Sequence, residues 1–67
     1  MKILVDKEKI SNFIYTHYLR KSTFCKECYI NLTTLNNILQ TGTANALTLF
    51  KMARAMKTNI ASLSIYN

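Results

Sequence analysis

Asn31-Leu-Thr-Thr-Leu-Asn-Asn-Ile-Leu-Gln-Thr-Gly-Thr-Ala-Asn45, continued by Ala-Leu-Thr-Leu-Phe-Lys-Met-Ala-Arg-Ala-Met56, decides how this chain folds. Asn31 and Asn45 each precede apolar residues spaced by three and four, and a short side-chain oxygen there accepts from the orphan amides of a first helical turn. The spacing predicts one helix from Leu32 to about Gln40, with Leu35, Ile38 and Leu39 inward and Thr33, Asn36 and Asn37 outward. Thr41-Gly-Thr-Ala44 reads as the connecting loop. Beyond it a second helix carries a stripe of Leu49, Met52, Ala53 and Met56.

Working towards the N-terminus, Thr23 to Cys28 reads as a short helix with Phe24, Cys25 and Cys28 inward and Lys26 and Glu27 outward. Arg20-Lys-Ser-Thr23 interrupts the period. Before it, Asp6 caps a helix whose apolar face holds Ile10, Phe13, Ile14 and His17, the histidine reading as a half-buried packing residue. Towards the C-terminus, Asn59 caps a brief fifth helix anchored by Leu63. The expectation is an all-α, compact five-helix domain spanning residues 1–67, with a helix-turn-helix over about residues 23–40.

The 67 residues leave room for one domain and one small core. Apolar residues make up 49% of the chain, and one Gly with no Pro provides few turn signals, which favours helices. Nine Lys and Arg against three Asp and Glu give a net charge of +6 and a pI near 9.6, a basic balance that points to a polyanion. The apolar run at Met1 to Val5 is too short for a signal peptide. No stretch approaches the roughly 18 apolar residues that span a bilayer, so a cytoplasmic location without membrane contact is expected.

An uncharged outer helix face of amides and hydroxyls suits the major groove, where base pairs differ in donors, acceptors and the thymine methyl. Leu32 can touch a thymine methyl, Thr33 can donate or accept, and Asn36 or Asn37 can pair bidentately with adenine. These four are the predicted base readers of an A·T-leaning double-stranded site. Phosphate contacts are predicted from Arg20, Lys21 and Lys26 and from Thr41, Thr43 and Asn45 around the start of the fourth helix.

From Asn45 to Leu63 the chain resembles the Cro/C1-type helix-turn-helix family, the phage-repressor-like or XRE-type regulators, and the resemblance extends over roughly residues 10–64. Phe24-Cys25 and Cys28 sit where that family places apolar residues of helix two, and Leu35 and Ile38 where it places the core of the recognition helix. The resemblance implies a five-helix, lambda-repressor-like fold that binds DNA, usually as a homodimer. At the turn where the family often has Gly this chain has Tyr29, for which a positive φ implies strain of about 1 to 2 kcal/mol. An ion pair frequent in the family falls on Ile14 and Leu39, an exchange of both partners for apolar residues that is chemically coherent.

Other chemistry is poorly represented. Cys25 and Cys28 have C-x-x-C spacing, yet a structural zinc site needs four ligands and no second pair accompanies them, so reduced, buried, structural thiols are expected. No nucleophile stands beside an evident base, the carboxylates Asp6, Glu8 and Glu27 form no convincing pair, and no Gly-rich phosphate loop occurs. Neither catalysis, a cofactor, a metal nor a small-molecule effector is expected. Tyr15, Tyr18 and Tyr29 offer stacking faces, but their helical spacing suggests partial core packing over a single-strand platform.

The reading that follows is a Cro-like repressor of phage or mobile-element type, without the effector domain of larger relatives. Ile60, Ile65 and Tyr66 are candidates for its dimer seam. A protein-binding adaptor, antirepressor or inhibitor on the same fold, and a DNA-binding antitoxin, remain alternatives, because fold alone does not select among them.

Overall fold

In the computed structural model, which describes residues 2–65, the chain runs β1 (Lys2–Leu4), α1 (Lys7–His17), α2 (Lys21–Cys28), α3 (Leu32–Thr41), β2 (Thr43–Asn45), α4 (Ala46–Ala55) and α5 (Ile60–Leu63). Four helices begin on the side chains expected to cap them. Asp6 accepts from the amide of Lys9 at 3.1 Å, Asn31 from Thr34 at 3.0 Å, Asn45 from Thr48 at 2.8 Å and Asn59 from Ser62 at 2.9 Å. Each such bond satisfies an orphan donor and stabilises its helix by about 1 kcal/mol. α2 lacks this device: Arg20 stands at its N-cap without a side-chain bond, and the helix starts at Lys21, two residues earlier than expected.

The five expected helices make this a mostly helical domain, and the all-α expectation is corrected only by a small two-stranded sheet. β1 and β2 pair antiparallel in the register Lys2↔Asn45, Ile3↔Ala44, Leu4↔Thr43. The segment read as a loop instead closes α3 at Thr41, turns through Gly42 in the left-handed conformation at φ 75°, and becomes a strand. Alternation explains the pairing: Ala44 is buried and Ile3 packs against the core, while Lys2, Leu4 and Asn45 are exposed. Val5 extends the join, donating its amide to the Gly42 carbonyl at 2.9 Å and forming an antiparallel bridge with Ser64. The N-terminal end of the described chain is thereby tied both to the segment between α3 and α4 and to the C-terminal end.

The helical stripes meet in one core. Ile10 and Ile14 of α1, Phe24, Cys25 and Cys28 of α2, Leu35 and Ile38 of α3, Leu49, Met52 and Ala53 of α4, Leu63 of α5, and Val5, Ala44 and Met56 from the connections are all buried. Leu39 packs against this cluster from its edge, and Leu39 and Ile14 line the same shallow groove, so the two positions aligned with an ion pair share an apolar environment. His17 departs from expectation. It is exposed at the last position of α1, its ring stacked on Phe13 at 4.1 Å.

Glycine ends only one helix here. Leu19, Tyr29 and Lys57, at φ 64°, 60° and 56°, follow α1, α2 and α4 in the left-handed region. At α2 the amide of Ile30 bonds to the Cys25 carbonyl at 3.1 Å and that of Tyr29 to Lys26 at 3.3 Å, the paired closure that left-handed helix ends make. Tyr29 is 82% exposed, so its side chain adds almost nothing to the core that would offset the backbone cost. Tyr29→Gly is therefore expected to stabilise the fold by about 1 kcal/mol, the relief of strain exceeding the extra freedom glycine confers on the unfolded chain. Urea unfolding with an unchanged m-value measures it, and a lowered midpoint would refute the assignment of strain.

Candidate nucleic-acid interface

α3 presents its sides as the 3.6-residue period dictates. Leu35 and Ile38 are buried, whereas Leu32 (43% exposed), Thr33, Asn36 and Asn37 are open to solvent. All ten residues of α3 are uncharged.

The two asparagines lean towards different neighbours. Asn36 accepts from Nζ of Lys21 at 3.5 Å, a long bond that brings the α2 cation to the edge of the α3 face. Asn37 lines a cleft of about 290 Å³ on the other side, together with Thr41, Thr43 and Asn45. Arg20 and Lys26 are exposed on α2 and lie outside that cleft. The structure thus gathers Asn37, Thr41, Thr43 and Asn45 into one depression, and places Arg20, Lys21 and Lys26 on the flanking helix and its cap.

Within the cleft, several polar groups already serve the fold. The Thr41 hydroxyl donates to the Asn37 carbonyl at 2.8 Å, which leaves its oxygen to accept from the Thr43 hydroxyl at 3.1 Å and the Thr43 amide at 3.3 Å. Both hydroxyl protons are therefore committed internally, and a phosphate contact by Thr41 or Thr43 requires its proton to turn from these bonds to the phosphate oxygen. Asn45 uses Oδ1 on the Thr48 amide at 2.8 Å, and its side-chain NH2 stands beside the opening turn of α4.

Sequence reasoning missed Lys2, Thr34 and Thr48 in this cleft. Lys2 arrives through the β1–β2 pairing opposite Asn45 and adds an exposed cation to the polar wall. Thr34 is tied to the α3 cap, its hydroxyl donating to Asn31 Oδ1 at 2.7 Å.

The tyrosines divide. Tyr18 packs edge-on against Phe24 at 5.5 Å, consistent with core packing, whereas Tyr15 and Tyr29 are 72% and 82% exposed. Of the suggested dimer seam, Ile60 is half-buried against the core and Ile65 is exposed, while Tyr66 lies outside the described residues.

Cys25 and Cys28 are free and buried. Burial, followed by the charges of Cys25 and Glu27, pushes Cys28 up to about 12 from its ordinary 9.0; burial also raises Cys25. The unfolded chain therefore releases these protons first. Their contribution to stability is fully present below pH 9.0 and is lost as pH rises towards about 12. The melting temperature should fall across that window, and less steeply in Cys28→Ala compared with its own value at neutral pH. Equal slopes would remove Cys28 as the cause.

No protein-family model, curated protein or solved structure matches this chain. Among the described residues, no helix is long and apolar enough to cross a membrane, and no three His, Cys, Asp or Glu side chains gather as a metal site would require.

Proposed function

We propose that the protein is a sequence-specific double-stranded DNA-binding regulator of the Cro/C1 type, lambda-repressor-like in fold and acting as a repressor by occupying an operator. The observation that carries this reading is the open, uncharged face of α3, where Leu32, Thr33, Asn36 and Asn37 are exposed while Leu35 and Ile38 anchor the same helix in the core. α3 enters the major groove; Arg20, Lys21 and Lys26 take the backbone on one side, and Asn45 with Thr41 and Thr43 takes it on the other. The amides favour A·T pairs, since Asn pairs bidentately with adenine. A homodimer sets two copies of α3 roughly 34 Å apart on a near-palindromic site. No catalytic step is needed, and location in the cytoplasm follows from the partner.

One observation favours a second reading. α3 carries no Arg, the commonest reader of guanine, so a protein-binding adaptor or inhibitor that uses this face on another polypeptide is the alternative, as is the DNA-binding antitoxin. Selection of bound duplexes from a random pool, followed by titration over salt, separates them: the regulator enriches a sequence and loses affinity as salt rises. Absence of enrichment together with salt-insensitive binding would sink the DNA reading. Asn37→Ala is expected to relax preference at one base position at a cost of about 1 to 3 kcal/mol there, leaving other positions unchanged. A uniform loss across sequences would show that Asn37 holds phosphate instead.

A further inference from the structure

The cleft beside α3 is not the only basic depression. A second groove of about 430 Å³ lies between the end of α2 and the end of α4, lined by Tyr18, Glu27, Tyr29, Lys51, Arg54 and Lys57. It shares no residue with the α3 cleft, and its α4 residues lie beyond Thr48, where Arg54 follows by six positions, about 9 Å along the axis. Three cations face one carboxylate. Among the described residues, the cationic side chains that make hydrogen bonds are Lys9 and Lys21, and neither lines this groove, so the charges of Lys51, Arg54 and Lys57 are uncommitted.

Tyr29 gives the groove its character. The backbone there is left-handed at φ 60°, a conformation glycine adopts without strain, and the ring projects into solvent instead of packing. Leu19 and Lys57 are exposed in the same left-handed conformation, so what sets Tyr29 apart is an open aromatic face on the wall of a cationic groove. Beside it, Tyr18 is fixed through its ring against Phe13 and Phe24, so one tyrosine is anchored and the other free.

We propose that this groove binds a single strand of nucleic acid, with an unpaired base stacked on Tyr29 and the adjoining phosphates held by Lys51, Arg54 and Lys57. Exposed aromatic faces combined with a cationic track are the requirements for strand binding, because any unpaired base presents a π-face while paired bases in a duplex have none free. Glu27 is the acceptor for an exocyclic amine or sugar hydroxyl of that nucleotide. An acidic peptide would use the same three cations and leave the Tyr29 ring idle, which makes the ring the discriminating group. This inference does not depend on the reading of α3 as a duplex binder.

The test is anisotropy of a labelled oligodeoxythymidylate of about 12 nucleotides, with a duplex and a polyglutamate peptide of matched length as comparisons. Tyr29→Asn, which tolerates the left-handed backbone, should weaken the single strand about tenfold, as should Lys51→Ala, Arg54→Ala and Lys57→Ala combined; Tyr29→Phe should retain binding. Circular dichroism establishes that each variant is folded. The proposal is overturned by no binding of the single strand by the wild-type protein, by single-strand binding indifferent to Tyr29→Asn, or by polyglutamate binding as tightly as the oligonucleotide. An equal loss of duplex affinity in Tyr29→Asn also overturns it, by making the groove part of the duplex contact. Asn37→Ala keeps the two readings distinguishable, since it should spare the single strand; single-strand binding without any duplex binding would sink the regulator and leave this groove standing.

Discussion

Phe24→Ala is expected to leave the protein largely unfolded at physiological temperature. Phe24 is fully buried on α2, with the rings of Tyr18 at 5.5 Å and Phe13 at 6.2 Å edge-on around it. Removing such a ring costs about 3 to 5 kcal/mol through lost transfer energy and the cavity left behind. A domain of this size has a total stability of about 3 to 10 kcal/mol, so one truncation removes much or all of it. The loss reaches beyond α2, because Phe13 and Tyr18, from α1 and its end, pack on each other at 6.0 Å and both rest on the Phe24 ring. Phe50→Ala provides the contrast: half-exposed on α4, it should change stability by about 0.5 kcal/mol or less. Urea denaturation compares the two, and a Phe24→Ala cost below about 1 kcal/mol would show that the core relaxes into the space.

The parts of this fold that were legible are those determined within one turn of helix. Asp6, Asn31, Asn45 and Asn59 cap because each side chain reaches an amide three residues on, and the stripes through Leu35, Leu49 and Leu63 follow from the helical period. The sheet was not legible for the opposite reason. Three residues at Lys2–Leu4 meet three at Thr43–Asn45 across some forty positions, and Thr-Ala-Asn is too short to display alternation. Helix ends at Leu19 and Lys57 were equally hidden, since a left-handed closure without glycine has no compositional mark; at Tyr29 the position came from the resemblance. The outward set on α3 followed from period alone. Its surroundings did not, because the Lys21–Asn36 bond and the arrival of Lys2 beside Asn37 depend on how α2 and β1 pack.

Replacing Arg20, Lys21 and Lys26 together by Ala is expected to weaken duplex binding about a hundredfold at physiological salt while sparing the fold. All three side chains are exposed, and the one bond among them, Lys21 to Asn36 at 3.5 Å, is too long and too solvated to matter for stability. Each phosphate contact releases condensed counterions, so the slope of log K against log salt should flatten by about 0.9 per residue, roughly 2.7 for three. At about 0.15 M salt that slope change alone corresponds to about two decades of affinity. On the proposed duplex reading, sequence preference should persist, because the exposed Thr33, Asn36 and Asn37 are left in place, although Asn36 loses its Lys21 contact. The slope is the decisive readout. A hundredfold loss with an unchanged slope would mean that α2 acts through the geometry of α3 and not by neutralising phosphates, and an unchanged affinity would place the DNA backbone on another side of the molecule.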